Sequence, residues 1–413
     1  MSSTVPQDAT ATAGGGRAFP WLPPAWLLVV GLVAVAANLR VGLAGVPPLV
    51  GLISSDLGLS NAAVGVLTTL PVLCMGAFAP VAHWASTRWG SAPVVLVATV
   101  LAAMGSALRL MGSSLPVLYA ATLVLGVGIA VAGTLLPRLV KTMFPPERVG
   151  LVTGVYMVAL MGGATASAAL SAPLARLLGS WEGSLASWSV IGLVAVVVWY
   201  PLSRAVWRHR AEVIARSVGS RLPWRSRTAW LVSAYLAVQS WVFYSTLAWL
   251  APSFIGLGWD VEHAGYLLSV FSAAQILAGL VVPAVTDRVH DLRTLLVPVG
   301  LVGAAGLVGL VLAPDSAPWL WAVLAGLGQG SSFALALVLL VRAAATPHAS
   351  GGLSAMGFLV GYGVASLGPL AMGAIRDATG GFHGVWFSLV VFMVAQLAVA
   401  LTLRPGMALV GES

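Results

Sequence analysis

Arg40 stands near the middle of the first long apolar stretch of the chain, and the apolar stretches hold no Asp or Glu to pair with it. A guanidinium at bilayer depth costs about 2.5–3.5 kcal/mol even on lenient insertion scales, and such residues mark functional sites by default. A bound anion is the simplest compensation, because the planar donor fork of Arg matches carboxylate, nitro or cyanate-like groups. Asn38, two residues away, lies on a roughly opposite face. It either fixes a neighbouring helix or completes the pocket.

The other polar side chains inside apolar stretches are Gln239 with Tyr235 one turn before it, Gln329, Tyr156, Tyr244, Trp249 and Tyr362. Each Gln is either a substrate contact or a helix-to-helix hydrogen bond of about 0.6 kcal/mol. Trp249, close to Pro252, is either a wall of the site or an interfacial belt residue. Tyr156 and Tyr362 are either site residues or core. Arg138 and Lys141 near the end of one stretch, with Asp287 and Arg288 in a loop, are candidate gate residues. The alternatives are a leaflet anchor, an ion pair with Glu147, or pairing with helix ends.

What is absent also narrows the chemistry. With no acid inside the stretches, carboxylate-based proton relay is not expected and a cationic substrate lacks a counter-ion. The single cysteine, Cys74, excludes a disulfide framework, and the six histidines lack metal-ligand spacing. No metal and no cofactor are expected. No nucleophile is positioned with a base, so the chain does not read as an enzyme. A receptor or scaffold lacks a sizeable extra-membrane domain to relay a signal.

The elements that position these residues follow from composition. Charged residues make up 8% and hydrophobic residues 59%, against roughly 25% charged in soluble domains. This is the composition of a polytopic all-α membrane protein, with the lipid bilayer as its main partner. The net charge of +8 lies in short loops between apolar runs, the distribution of the positive-inside rule rather than of nucleic-acid binding.

A crossing needs about twenty apolar residues. That ruler gives twelve spans, at 26–52, 61–82, 91–111, 115–141, 149–173, 184–203, 228–250, 263–285, 294–313, 317–341, 351–373 and 384–403. In alternation, most basic residues fall on one side, with Arg109, Arg176 and Arg376 on the other. The basic side is therefore expected to be cytoplasmic and to hold both termini, as for a multi-pass plasma-membrane protein. Residues 1–24 read as a disordered cytoplasmic leader and 25–203 as an N-terminal six-helix bundle. A basic linker at 204–227 precedes a C-terminal bundle at 228–404 and a tail at 405–413.

Self-comparison at an offset of about 200 residues pairs Pro80–Gly90 with Pro283–Arg293, and Gly126 and Gly128 with Gly326 and Gly328. Gly150 and Gly154 find counterparts near Gly351, Gly352 and Gly357. A single match is explained by small-residue helix packing, but the shared offset marks a repeat. The same offset carries Arg40 to Gln239, predicting that the two face each other across a central cavity. Parallel six-helix repeats with a midplane site are the architecture of the major facilitator superfamily.

Particular runs sharpen that likeness. Asn38-Leu39-Arg40, Pro47-Pro48-Leu49, Gln239-Ser240, Phe243-Tyr244, Ala248-Trp249-Leu250 and Gly326–Arg342 resemble the cyanate transporter branch of that superfamily, which includes nitroimidazole-type exporters. Leu353-Ser354-Ala355-Met356, Gly361-Tyr362 and Gly368-Pro369 fit the same branch, and the resemblance covers nearly the whole chain after the leader. It implies a major facilitator fold, alternating access by rocking of the halves, and small anionic or nitro-bearing aromatic substrates. The loop around His83–Gly90 departs from the superfamily pattern, lacking its acid and several glycines, whereas Asp287-Arg288 is kept. The combined expectation is a monomeric transporter of a small anion, bound by Arg40 with Gln239, Tyr244, Trp249, Tyr362 and Asn38. The alternative is an exporter of neutral or weakly polar aromatics.

Overall fold

In hydrocarbon every backbone N–H and C=O must pair within the protein, so an apolar chain of this kind crosses as helices. The computed structural model describes residues 23–208, 222–286, 288–404 and 407–411, and its regular structure is helical. The first half contains α1 (Ala25–Ala44), α2 (Val50–Leu57), α3 (Asn61–Ala77), α4 (Ala79–Trp89), α5 (Ser91–Leu108), α6 (Leu115–Met143), α7 (Pro146–Leu178), α8 (Trp181–Ser187) and α9 (Ser189–Arg208). The second contains α10 (Arg227–Gly256), α11 (Val261–Thr286), α12 (Arg293–Leu312), α13 (Pro318–Arg342), α14 (Pro347–Ala365), α15 (Leu367–Thr379) and α16 (His383–Thr402). Among the described residues, eleven stretches are long and apolar enough to cross a membrane, and α3 with α4, bent by 50°, makes a twelfth. The protein is a multi-pass membrane protein built as two pseudo-symmetric six-helix bundles.

Several helices outrun their apolar windows. The stretch expected at 149–173 runs over Pro146–Leu178, and the one at 351–373 is α14 and α15, parted at Ser366. The first span is interrupted because Pro47 and Pro48 bring no N–H to the ladder. Val46 N–H turns to the Leu43 carbonyl at 3.4 Å and Gly45 N–H keeps that of Val41 at 3.2 Å. The Gly42 carbonyl is taken up by Arg109 Nη1 at 2.7 Å.

The repeat reappears as equivalent contacts. A methyl on Gly105 would meet Leu125 Cα at 2.7 Å and the Ala121 oxygen at 2.8 Å, and one on Gly306 would meet Ala325 Cα at 3.0 Å and the Trp321 oxygen at 2.8 Å. Likewise Gly126 packs on Pro71 and Cys74 where Gly326 packs on Phe271 and Ala274. Without a hydrophobic driving force between helices in lipid, such close approach of small residues is what holds spans together. Helix ends and loops at one end carry Arg88, Arg148, Arg225 and Arg288, and those at the other carry Asp56, Glu182, Asp260 and Asp315. These ends are called the basic and acidic faces below.

Candidate functional site

Arg40 lies just before the last turn of α1 and is 7% exposed. Its Nη1 donates to the hydroxyl of Tyr244 on α10, in the opposite half, at 3.1 Å. The guanidinium carbon lies 5.4 Å from the ring centroids of both Phe243 and Tyr244. Two desolvated cation–π contacts contribute about 0.5–2 kcal/mol each, and a hydrogen bond to a charged group about 1.5–3 kcal/mol. Together they match the burial cost, yet they leave the charge un-neutralised. The ion pairs among the described residues involve Arg176, His263 and Arg293, not Arg40.

Aromatic rings extend from this cation. Tyr362 on α14 meets Tyr244 edge-on with centroids 6.1 Å apart, and Phe358, one turn earlier, stacks on Tyr362 at 5.5 Å. Phe243 stacks on Phe271 of α11 at 6.2 Å. The Tyr244 hydroxyl also reaches Met75 Sδ of α3 at 3.5 Å. Tyr156 of α7 is buried and, with Arg40 and Tyr244, lies within electrostatic reach of the Tyr362 hydroxyl. Side chains of α1, α3, α7, α10, α11 and α14 thus converge from both halves on one guanidinium.

Of the residues proposed from sequence, the structure gathers Arg40, Tyr244, Tyr362 and Tyr156 and turns the others elsewhere. Gln239 does not face Arg40. Its Nε2 donates to the backbone oxygen of Gln329 at 3.2 Å, and Ser240 Oγ donates to its Oε1 at 3.2 Å. Gln329 Nε2 in turn approaches Met393 Sδ at 3.7 Å, and the Tyr235 hydroxyl accepts from Gln396 Nε2 at 3.3 Å. These contacts tie α10, α13 and α16 inside one bundle. Trp249 is fully buried and donates Nε1–H to the Pro369 oxygen at 2.9 Å, pinning α10 to α15. Asn38 is buried with Oδ1 beside Gly192 of α9, away from the rings around Arg40.

The physical reason is rotation about the helix axis. A repeat offset finds the equivalent position along α10, but Tyr244 is five residues beyond Gln239 and about 140° around the helix. Phe243, Phe358 and Met75, which the sequence reading did not name as site residues, are ordinary apolar side chains; Phe243 and Phe358 are signalled only by adjacency or turn spacing to Tyr244 and Tyr362, and Met75 by nothing in the sequence.

Arg109 corrects a second expectation. Counted from sequence among the outer-side charges at the end of the 91–111 span, it is 1% exposed, with Nη1 on the Gly42 oxygen and Nη2 on Thr122 Oγ1 at 3.2 Å. It thereby supplies a donor where the broken ladder of α1 leaves a carbonyl unpaired, and a cation at a helix C-terminus also suits the macrodipole.

At the basic face Arg138 Nη1 donates to Ser86 Oγ at 2.7 Å, tying α6 to α4. Arg342, which sequence reading treated only as a loop charge, does the equivalent in the second half, donating to the Thr286 and Val289 oxygens at 2.6 and 2.8 Å. Lys141 and Arg288 are exposed there. Asp287 lies outside the described residues.

Two six-helix repeats that meet around a midplane site are a transporter architecture, and the family match agrees. The Major Facilitator Superfamily model matches residues 27–369, and the chain belongs to that family. It is 34% identical over 354 residues to the 2-nitroimidazole transporter of Escherichia coli (strain K12), covering 86% of this chain and 89% of that one. To the cyanate transport protein CynX of the same organism it is 28% identical over 377 residues, covering 91% and 96%. The inward open xylose transporter XylE from E. coli superposes with a TM-score of 0.73 at 14% identity, covering 94% of this chain and 98% of that one, which shows the shared fold.

Proposed function

We propose that this transporter moves a small anion or nitro-bearing planar compound by alternating access, with Arg40 as the charge partner. The observation that carries this reading is the un-neutralised guanidinium of Arg40, buried where the halves meet and ringed by Phe243, Tyr244 and Tyr362. One Nη1 donor is engaged by Tyr244, and the remaining fork offers the paired donors that carboxylate, nitro or cyanate groups accept. Related proteins named for 2-nitroimidazole and for cyanate handle ligands of this kind.

The basic face is assigned to the cytoplasm of a plasma-membrane protein with both termini inside, on the distribution of Arg and Lys. Arg138 and Arg342 brace the cytoplasmic span ends, and Lys141, Asp287 and Arg288 take part in closing that side. The protein acts as a monomer.

A second reading, export of neutral aromatics, is favoured by the four rings Phe243, Tyr244, Phe358 and Tyr362. Thermal-shift titration of purified protein with cyanate, benzoate, 2-nitroimidazole and neutral benzyl alcohol separates the two. Ligand-dependent stabilisation follows RT ln(1 + [L]/Kd). Stabilisation by the anions or the nitro compound supports the first reading. Stabilisation by benzyl alcohol that neither anion competes with supports the second.

A further inference from the structure

Besides the central contacts of Tyr244 with Arg40 and Met75 and a Ser269 Oγ to Thr165 oxygen bond at 3.0 Å, polar contacts between the halves lie at the acidic rim, at two places. At one, Asp377 near the end of α15 closes over the start of α3. Its Oδ1 accepts the Asn61 backbone N–H at 3.0 Å and Asn61 Nδ2 at 2.7 Å, and Oδ2 accepts the Ala62 N–H at 2.9 Å. At the other, Arg176 in the last turn of α7 pairs with Glu262 in the first turn of α11 at 2.8 Å.

The two places are related by the repeat. Moving Arg176 forward and Glu262 back by the 200-residue offset gives Arg376 and Ala62, so the same span ends meet each time. The helix starts match as well: Ser60 Oγ accepts the Ala63 N–H at 3.2 Å, and Asp260 Oδ1 accepts the His263 N–H at 2.9 Å. One turn deeper, a methyl on Gly65 would meet the Pro369 oxygen at 2.7 Å, and one on Gly265 the Ala168 oxygen at 2.6 Å.

We infer that Asp377 and Glu262 are gate residues of the acidic face, and that protonating Asp377 opens it. Alternating access requires both contacts to break in each cycle, because each joins opposite halves. An ionised carboxylate at a helix N-terminus gains from the orphan N–H groups and the macrodipole, and loses both gains on protonation. The contact therefore holds above the carboxylate range and loosens as pH falls into it. Arg176 is 76% exposed, so its pair with Glu262 is the weaker latch.

The charged and titratable neighbours are few. Arg376 precedes Asp377 with its guanidinium 4.8 Å from the Phe382 ring, and α3 presents Asn61 and Ser60. Glu262 shares a recess of about 1160 Å³ with Asp56, Arg176, Glu182, Asp260 and His263. In that recess the His263 backbone N–H, more than its ring, holds Asp260 below the usual carboxylate range. With no acid at mid-span, these rim carboxylates supply a titratable step that the membrane interior lacks. The inference does not depend on Arg40.

The test places spin labels at Ser114→Cys and Ser316→Cys, exposed positions leading into α6 and α13 at the acidic face, in a Cys74→Ala background. Distances are measured on the full chain in nanodiscs at about pH 7 and in steps down through the carboxylate range to about pH 3. The wild type should move toward the longer distance on acidification, the open-to-closed ratio rising about fivefold by about pH 3, because the gain is set by how far pH has fallen below the ordinary carboxylate value. Asp377→Asn should already be shifted at the higher pH and respond little to acid. Glu262→Gln should shift less, and His263→Ala should keep the wild-type response. A wild-type distribution unchanged by pH overturns the proposal, whatever the variants do. So does an Asp377→Asn protein that matches wild type at every pH.

Discussion

Gly65→Ala and Gly265→Ala offer a way to strain one state of the transporter without straining the fold. A methyl at Gly65 would lie 2.7 Å from the Pro369 oxygen and 3.1 Å from Leu370 Cα, and at Gly265 2.6 Å from the Ala168 oxygen. Relaxed carbon-to-oxygen contacts sit near 3.3–3.6 Å, so the paired helices must part by roughly 0.6–1 Å. Both contacts join opposite halves, and the strain falls only on the state that is closed at the acidic face. Overpacking of this size costs about 1–3 kcal/mol, which moves a two-state ratio by about 5- to 150-fold. The label pair across the acidic face reads that ratio directly, and both variants should shift it the same way. Gly105→Ala is the comparison, since its clash with Leu125 and Ala121 lies within one bundle and is present in every state. It should lower the melting temperature and leave the ratio alone. If Gly65→Ala and Gly265→Ala also lower the melting temperature and leave the ratio at its wild-type value, the halves do not part at these glycines and the reasoning fails.

Two further outcomes follow from single contacts. Tyr244→Phe removes the hydroxyl that holds Arg40 Nη1 but keeps the ring beneath the cation. Affinity for an anionic ligand should fall about tenfold, one charge-assisted hydrogen bond, with little change for a neutral aromatic; isothermal titration with both ligands checks this. Asp291, in the loop before α12, is held below the usual carboxylate range first by the Arg293 side chain, then by its backbone N–H. A lowered value contributes stability above the ordinary carboxylate range that is lost as pH falls through it. Asp291→Asn should therefore melt below wild type at neutral pH, with the gap closing in acid, as followed by melting curves across pH.

Much of the scaffold is legible in the sequence because hydrocarbon leaves few choices. Twelve apolar runs of spanning length become the crossings, and the 200-residue offset reappears in Gly105 and Gly306 and in Gly126 and Gly326. The buried cation at the centre of the candidate site is also conspicuous in the sequence, as a mid-span guanidinium without an acid. Its partners were less so. An offset fixes height along a span and not rotation, so Gln239 was expected where Tyr244 stands, and a Gln that joins helices looks in sequence like one that meets a ligand. Arg109 lies at a span end, where a loop position and a buried cap for the Gly42 carbonyl read alike. Asp377 and Glu262 read in the sequence as loop acids that look interchangeable, until the ends of α15 and α7 are seen to meet the starts of α3 and α11.

The central claim is that Arg40 supplies the charge for a ligand. Titrating purified wild type, Arg40→Lys and Arg40→Ala with cyanate and 2-nitroimidazole tests it most directly, alongside melting curves showing that each protein is folded. Wild type should bind and Arg40→Lys should bind about 10- to 100-fold more weakly, having lost one arm of a two-armed contact. Arg40→Ala should show no saturable binding of either compound. Binding by folded Arg40→Ala with the wild-type constant would contradict the account and leave the guanidinium a structural residue held by Tyr244 and Phe243.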